Sequence, residues 1–244
     1  MSLFYLLFGA RGWRAPTDVV ITEVTRMQGN RVCIAALHGR ARIRLHEPQP
    51  EEEWLRSEGG LSPGDVVSLS WKSPRQVRRP HMEDTDWNPA SLKKAGRITE
   101  DQLAGRLTAV AFSRLTDAFG KPILYSDHGN AAFPPDKGSR SLASLMVTSV
   151  RAYPYGDGVR VDFRDSDREW TMAPMEDLSV RVHQVRCSPS SAGLSESLAA
   201  EFEVGEALLG VGLGRPFQYG DNPPACYLQV NHIFPIPSRR KHFI

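Results

Sequence analysis

The sequence has few cysteines and no long apolar run. Its three cysteines, Cys33, Cys187 and Cys226, are odd in number and have no CxxC spacing among 244 residues. This usage predicts reduced, mostly buried thiols instead of a disulfide framework, and it gives a zinc site no evident fourth ligand. Because no apolar stretch reaches the length of a membrane span, we expect a cytoplasmic protein without a membrane partner.

Motifs that bind cofactors or supply a nucleophile are also missing. The sequence has no P-loop, no G-x-S-x-G serine motif and no dinucleotide-binding glycine fingerprint. The glycines of residues 210–214 are followed by Pro216 and no helical pattern, which favours a strand end over a phosphate loop. His81 and the carboxylates of residues 83–86 resemble a metal cluster but have no partners at a recognisable spacing. We therefore expect no metal, no cofactor and no catalytic activity.

The chain has almost no net charge. Its 30 Lys and Arg against 28 Asp and Glu leave a formal net charge of +2. The net charge therefore gives no reason to expect a polyanionic partner, and evidence for nucleic-acid binding must come from local patches of positive charge.

An internal repeat is the most informative pattern that the chain does contain. Strand-like runs in residues 20–45 have a weak echo in residues 145–172, and the turn and strand of residues 61–67 are answered by residues 202–209. Each half then closes on a strand-like run, at residues 106–110 and 227–230. The repeat is too long for a solenoid unit. It predicts a mainly β protein of two tandem OB-like five-stranded barrels with short helices and long loops.

Composition divides the chain into four expected segments. They are an apolar N-terminal arm in residues 1–16, a first barrel in residues 17–140, a second barrel in residues 141–237 and a basic tail in residues 238–244. The central boundary falls in a Gly/Pro-rich connector. One short helix is predicted to begin after Thr99, which forms a capping box with Gln102.

The N-terminal arm is expected to contact a partner protein or the body of the chain, because exposed apolar surface is costly in water. Its candidate contact residues are Leu3, Phe4, Leu6, Leu7, Phe8 and Trp13.

Residues 40–45 carry the first basic cluster that indicates nucleic acid. They alternate strictly, so that Arg40, Arg42 and Arg44 share one face and Ala41, Ile43 and Leu45 point to the core. Three cations on one strand face are tolerable in solvent or against an anion. The alternative interpretation is edge-strand charge that prevents aggregation.

A second basic cluster surrounds Pro80. Its arginines lie near two tryptophans, which suits phosphate contact and base stacking; the alternative is a surface loop whose arginines pair with acidic neighbours. In the second half, Tyr153 and Tyr155 supply rings close to Arg151, in the turn before the strand that carries Arg160 and Arg164. The predicted phosphate contacts are Arg40, Arg42, Arg44, Arg75, Arg78 and Arg79, and the predicted stacking surfaces are Trp71, Trp87 and Tyr153.

Several different short motifs lie along the chain from about residue 18 to near the C-terminus. They are Cys33-Ile-Ala-Ala, Ile43-Arg44, Pro63-Gly-Asp-Val-Val67, Pro80-His-Met-Glu-Asp84 with Trp87, Gly210-Val-Gly-Leu-Gly-Arg-Pro-Phe217 and Tyr227-Leu-Gln-Val-Asn-His-Ile-Phe234. In these motifs the chain resembles the prokaryotic dual OB-containing domain family. It departs from that family where Ala41-Arg42 replaces an aromatic residue before the Ile-Arg step. The resemblance implies two OB-like barrels and a nucleic-acid-binding role beside phage-defence genes.

These patterns predict a non-catalytic protein that binds single-stranded DNA or RNA, as an accessory component of a phage-defence system. One alternative is an adaptor that docks a larger effector protein through the N-terminal arm, which the near-neutral charge favours. A metal-dependent hydrolase is the least supported alternative.

Overall fold

The computed structural model describes residues 13, 15–57, 59–74, 76–123, 130–156, 158–180 and 205–236. The arm residues Leu3 to Phe8, together with Arg75, Cys187 and the basic tail, lie outside the described residues. The described part of the chain is mainly β, as predicted.

The first half of the chain supplies most of one sheet. Its strands are Thr17–Arg26 (β1), Val32–His38 (β2), Ala41–Glu47 (β3), Asp65–Leu69 (β4), Trp71–Lys72 (β5), Asp84–Trp87 (β6) and Lys93–Arg97 (β7). The helix Glu52–Ser57 (α1) follows β3, and the 3-10 turn Pro89–Ser91 precedes β7.

The remaining elements begin with a helix that separates the two halves. They are Glu100–Thr108 (α2), Ala111–Phe112 (β8), Leu115–Phe119 (α3), Ala132–Phe133 (β9), Leu142–Val147 (β10), Ser149–Tyr155 (β11), Gly158–Arg164 (β12), Glu169–Pro174 (β13), Ala207–Leu213 (β14) and Cys226–Pro235 (β15).

The first barrel has the strand order of an OB fold. β1, β2 and β3 form an antiparallel meander, and β3 then pairs in parallel with β6. β6 is antiparallel to β5, which continues β4 after Ser70, and β4 returns to pair with β1. Because β4 and β5 act as one bent strand, five strands close the barrel.

The second barrel repeats this connectivity. β11, β12 and β13 form the meander, and Met175 just beyond β13 makes a parallel bridge to Val230 of β15. β15 is antiparallel to β14, which pairs with β10, and Thr148 alone separates β10 from β11. Val66 and Leu208 are each the second residue of the corresponding strands β4 and β14. The prediction of two tandem OB-like barrels is confirmed.

Each barrel has its own core, built by alternation along its strands. In β12, for example, Val159, Val161 and Phe163 point inward while Arg160 and Asp162 point outward. The fully buried residues of the first core belong to a cluster that does not overlap with the second.

The helix α2 corrects one predicted strand. The capping box between Thr99 and Gln102 is present as predicted, but the helix continues to Thr108, so residues 106–110 do not close the first barrel as a strand. Leu103 and Leu107 of α2 pack with Leu208 and with residues of β1 and β2. Because α2 contacts residues of both barrels, it packs between them.

The division of the chain near residue 140 stays a prediction, and the packing favours an earlier one. β8 pairs with β10, and β9 pairs with β15, so both belong to the second sheet. Leu115, Phe119 and Phe133 lie in the second core. The described residues from about 111 onward therefore pack as part of the second barrel.

The two barrels approach so closely that Gly210 of β14 has no room for a side chain. A Cβ atom on Gly210 would lie 2.5 Å from Oε1 of Glu23 in β1. Glu23 is 1% exposed and is held by Arg42, whose Nη1 donates to both carboxylate oxygens. The Glu23 side chain is therefore held in place and cannot easily move away from a Cβ atom on Gly210.

We expect Gly210→Ala to lower the free energy of unfolding by about 1–3 kcal/mol, the usual cost of overpacking. Chemical denaturation of the parent and variant measures it. Gly205→Ala is the matched control, because a Cβ atom there meets nothing within 4 Å, and its effect should stay within about 0.5 kcal/mol. Equal losses from the two variants would contradict a specific clash at Gly210.

Candidate nucleic-acid interface

The outward face of the first barrel is covered by the second barrel. OB folds bind oligonucleotides on the face of strands 2 and 3 and on the loops between strands 1 and 2 and between strands 4 and 5. In the first barrel, Leu37 on that face is 1% exposed and packs against Leu208. Arg42 and Arg44 on the same face donate to Ser144 and Ser141 of the second barrel. This face packs against the second barrel over most of its area, and only its end at Arg44 and His46 borders a cavity.

Arg44 is the centre of the contact. Its Nη1 donates to Oδ1 of Asp84 at 3.0 Å and to Nδ1 of His81 at 3.1 Å, while Nη2 donates to the Ser141 hydroxyl at 2.8 Å. Burial alone would raise the pKa of Asp84, but the charge of Arg44 and a hydrogen bond from Arg215 outweigh burial and lower that pKa. Arg44 and Asp84, on the adjacent strands β3 and β6 of the first barrel, thus form a buried ion pair at the junction with the second barrel.

The predicted arginine face is therefore not an open solvent-facing surface, and phosphate contact at Arg40, Arg42 and Arg44 stays a prediction. Arg42 is paired with Glu23, and Arg44 with Asp84, so neither projects freely into solvent as an open strand-binding surface requires. Arg40 is exposed and donates to the Ala109 carbonyl at 2.7 Å. Ala41, expected in the core, is exposed. Alternation placed the arginines on one face, but it cannot distinguish solvent from a second barrel.

The two predicted tryptophan stacking surfaces are also wrong. Trp87 is 1% exposed, and its Nε1 donates to the Pro48 carbonyl at 2.7 Å. Trp71 is 8% exposed, and its Nε1 donates to the Thr17 hydroxyl at 3.1 Å. Both rings belong to the first core, because large rings gain more from burial than from exposure to water.

The arginines of the second cluster and the described part of the arm lie away from these contacts. Arg78 is exposed, and Arg79 is exposed with its Nη1 donating to the Gly138 carbonyl at 3.1 Å. Trp13 is half-buried, and the Lys72 ammonium lies 4.5 Å from its ring centroid. Phosphate contact at Arg78 and Arg79 and partner contact at Trp13 stay predictions.

The corresponding face of the second barrel carries exposed rings and cations. Tyr155, at the turn between β11 and β12, is 54% exposed, and the Arg160 guanidinium lies 5.6 Å from its ring centroid. Tyr153 is half-buried beside them; its hydroxyl donates to Asp162 at 3.0 Å, and Arg151 lies 4.9 Å from its ring. The predicted Tyr153 therefore lies on this face, with Tyr155 as the more open ring.

A continuous groove runs along this face and onto the first barrel. Two cavities of about 1000 and 960 Å³ meet in it and share lining residues that include Gln28, Arg215 and Phe217. Gln28 lies in the β1–β2 turn of the first barrel, whereas Arg215 and Phe217 lie in the β14–β15 loop of the second. We call these cavities together the groove.

The groove has a basic half and an aromatic half. The arginine and histidine side chains of the first cavity are Arg26, Arg31, Arg44, His46, His81 and Arg215, and its acidic side chains are Glu52 and Glu176. Rings of the second cavity are Tyr155, Phe217, Tyr219 and Tyr227, with Arg160 among them. Phe217 is 60% exposed and Tyr219 is 47% exposed. The groove therefore offers charge at one end and ring faces at the other.

Arg215 joins the two halves. Its Nη2 donates to Oδ2 of Asp84 at 2.7 Å and lies 3.5 Å from the ring nitrogens of His46. Its side chain stays 38% exposed. Among the described residues, Arg160 has no carboxylate at ion-pair distance. Arg215 is therefore fixed at the junction by Asp84, whereas Arg160 has no ion-pair partner in the described part of the chain.

The sequence contained signals for these residues. Tyr155 and Arg160 stand beside the predicted Tyr153, but nothing in the sequence showed that only the second barrel leaves this face open. Arg215 and Phe217 lie in the motif of residues 210–217, which indicated a strand end, and β14 does end at Leu213. Their place in a groove depends on the loop that follows.

Within the described ranges, no group of three or more His, Cys, Asp or Glu side chains is placed to hold a metal ion. His81 is 2% exposed, and burial, together with the charges of Arg44 and Arg215, lowers its pKa to about 3. No helix in the same ranges is long and apolar enough to cross a membrane.

Comparisons with known proteins give no family. No family model matches the sequence, and no curated protein matches it. Among solved structures, the chain is similar to a p204 HINb domain at 12% identity and a TM-score of 0.36, over 91% of this chain and 100% of that one. It is similar to an Ifi202 HINa domain in complex with 20bp dsDNA at 8% identity and a TM-score of 0.36, over 92% and 100%.

A murine DNA binding protein bound with dsDNA is similar at 7% identity and a TM-score of 0.32, over 91% of this chain and 100% of that one. Scores of this size do not establish a shared fold or function. The interface described above depends on the residues of this chain alone.

Proposed function

We propose that this protein binds single-stranded nucleic acid along the groove and performs no chemistry on it. The observation that carries the proposal is the cluster of exposed rings at Tyr155, Phe217 and Tyr219 beside Arg160, on the face where OB folds hold oligonucleotides.

Few large apolar side chains are exposed on the described surface, and most of them are rings that lie in the groove. Five large hydrophobic side chains are markedly exposed there, and three of them are the rings of the groove. Unpaired bases stack on such rings whatever their sequence, because every base has a π face. A duplex keeps its bases stacked on one another, so the rings favour a single strand.

The basic half supplies the second requirement of strand binding. A strand that stacks at Tyr155 and Phe217 has its backbone directed toward Arg215 and the turn that carries Arg31. Lysine and arginine contacts to phosphate release counterions and make binding depend on salt. Glu52 and Glu176 also line this half, which favours contact at few phosphates over a broad electrostatic surface.

An accessory role in phage defence, and docking of an effector through the arm, stay predictions that the groove does not address. The choice between DNA and RNA is likewise open to direct measurement, since stacking on rings does not distinguish them.

Oligonucleotide binding in a salt series tests the proposal. We expect Phe217→Ala to lose about 1–3 kcal/mol of binding free energy with little change in salt slope, because it removes stacking. Arg160→Gln should reduce the slope of log K against log salt by about 0.7, the value for one lost phosphate contact on a single strand. Fluorescence anisotropy with a labelled strand of about 16 nucleotides measures both effects.

The matched control is Arg106→Gln, because Arg106 is exposed on α2 and lines none of the cavities described. It should bind as the parent does. If Phe217→Ala, Tyr155→Ala and Arg160→Gln all bind as the parent at every salt concentration, strand binding in the groove is wrong. If a duplex of the same sequence binds more tightly than the single strand, the preference for unpaired bases is wrong.

A further inference from the structure

A smaller cavity lies at the barrel junction, apart from the groove. Its volume is about 280 Å³, and of its lining residues only Leu142 also lines the groove. Three arginines line it, Arg40, Arg42 and Arg140, against one carboxylate, that of Glu83. We call it the arginine cavity.

Each of the three guanidinium groups is held in place by a separate contact. Arg40 donates to the Ala109 carbonyl at 2.7 Å, and the Arg140 guanidinium carbon lies 4.6 Å from the centroid of the Phe112 ring. Arg42 donates to Glu23 and to Ser144. The cations are therefore positioned before any ligand arrives, which lowers the cost of ordering them on binding.

Two of these groups have buried donors without an acceptor. The Nε atoms of Arg42 and Arg140 are both inaccessible to solvent and have no hydrogen-bond partner among the described residues. The Arg42 side chain as a whole is 7% exposed. A buried N–H without an acceptor is costly, and a bound water or ion is a common explanation for one.

The carboxylates nearby are already engaged. Glu83 accepts from the backbone N–H of Ser141 at 2.9 Å, from the Ser141 hydroxyl at 3.1 Å and from the backbone N–H of Leu142 at 3.2 Å. Glu23 is bound to Arg42. Among the described residues, neither Arg40 nor Arg140 has a carboxylate at ion-pair distance. The cavity thus keeps an excess of positive charge with fixed donors.

We propose that the arginine cavity binds a phosphate-type oxyanion, supplied as free inorganic phosphate or as a phosphodiester group of a bound strand. A tetrahedral oxyanion offers several acceptor oxygens to guanidinium donors, which match it in charge and geometry. A cavity of about 280 Å³ has room for the anion and several waters. The site goes beyond strand binding in the groove, because free phosphate needs no oligonucleotide.

Titration of the full chain with sodium phosphate, against sodium chloride at the same ionic strength, tests the site. We expect phosphate to raise the melting temperature where chloride does not, since a ligand of the folded state stabilises it. Arg140→Gln should weaken phosphate affinity by about tenfold or more, as the loss of a charged hydrogen bond does. Arg40→Gln should act in the same direction, while Arg106→Gln and the groove variant Arg160→Gln should bind phosphate as the parent does.

Oligonucleotide binding by the same variants identifies the source of the oxyanion. If Arg140→Gln also weakens oligonucleotide binding and phosphate competes with the strand, the site holds a phosphodiester; if strand binding is unchanged, it holds free phosphate. Both results support the oxyanion site. The proposal is overturned if phosphate and chloride have equal effects on the parent, or if Arg140→Gln and Arg106→Gln lose phosphate binding equally. Phe217→Ala should lose strand binding but bind phosphate as the parent does. A failure of the groove proposal can therefore be distinguished from a failure of the oxyanion proposal.

Discussion

Replacing Arg44 with methionine is expected to lower the free energy of unfolding by about 3–5 kcal/mol, the cost of breaking a buried ion pair on one side. Arg44 contacts Asp84, His81 and Ser141 in the junction, and its side chain is 9% exposed. Methionine fills much of the volume but leaves the Asp84 carboxylate with Arg215 as its cationic partner. Urea denaturation of the parent and variant measures the loss.

Arg40→Met controls for the loss of a positive charge from the same strand region. Arg40 is exposed, so its change should stay within about 0.5 kcal/mol. The double variant Arg44→Met with Asp84→Asn should lose less than the sum of the two single changes, because the partners interact directly. An Arg44→Met protein as stable as the parent would show that the buried pair at the junction does not stabilise the fold.

Acid should destabilise the protein from about pH 6.5 downward, well before its carboxylates titrate. His81 has a folded pKa of about 3, lowered first by burial and then by the charges of Arg44 and Arg215. An unfolded histidine titrates near 6.5. Between these values the unfolded state binds a proton that the folded state does not, so stability falls as pH falls. The slope approaches about 1.4 kcal/mol per pH unit.

His81→Asn should flatten this part of the curve. Its side-chain oxygen can accept from Arg44 as Nδ1 does, but it cannot take up a proton in this range. Asp84, whose pKa is held below its usual value, adds a separate loss only at lower pH, as its folded carboxylate becomes protonated. Unfolding free energies at pH 7 and at pH 5 compare the parent with the variant. Equal slopes for the two proteins would show that His81 is not the group responsible.

The repeat predicted the fold because it recorded strand order as well as strand content. Residues 17–26 form β1, and residues 226–235 form β15, close to the runs that the pattern indicated. The error at residues 106–110 has a local cause. Leu107 is apolar in a strand-like run, but the helix begun by Thr99 places it against both barrels, and the run alone does not show that helix continuing.

The arginine face shows where the sequence stops being informative. Alternation correctly placed Arg42 and Arg44 on the outer face of β3. Whether such a face meets water, phosphate or protein depends on residues far along the chain, here Ser141 and Ser144. The same limit applies to Trp87, whose neighbour Pro48 is remote in sequence. Tyr155 and Phe217 form one groove only because two distant loops meet.

The bond between Arg215 and Asp84 has a thermodynamic consequence. Arg215 of the second barrel lines the groove, while Asp84 belongs to the buried pair of the first barrel at the junction. A strand that engages Arg215 and the β1–β2 turn contacts both barrels, so its binding energy also opposes their separation. By reciprocity, the factor by which docking of the barrels raises the strand's affinity is also the factor by which a bound strand favours the docked state. Docking of the barrels and occupation of the groove are then a single linked equilibrium.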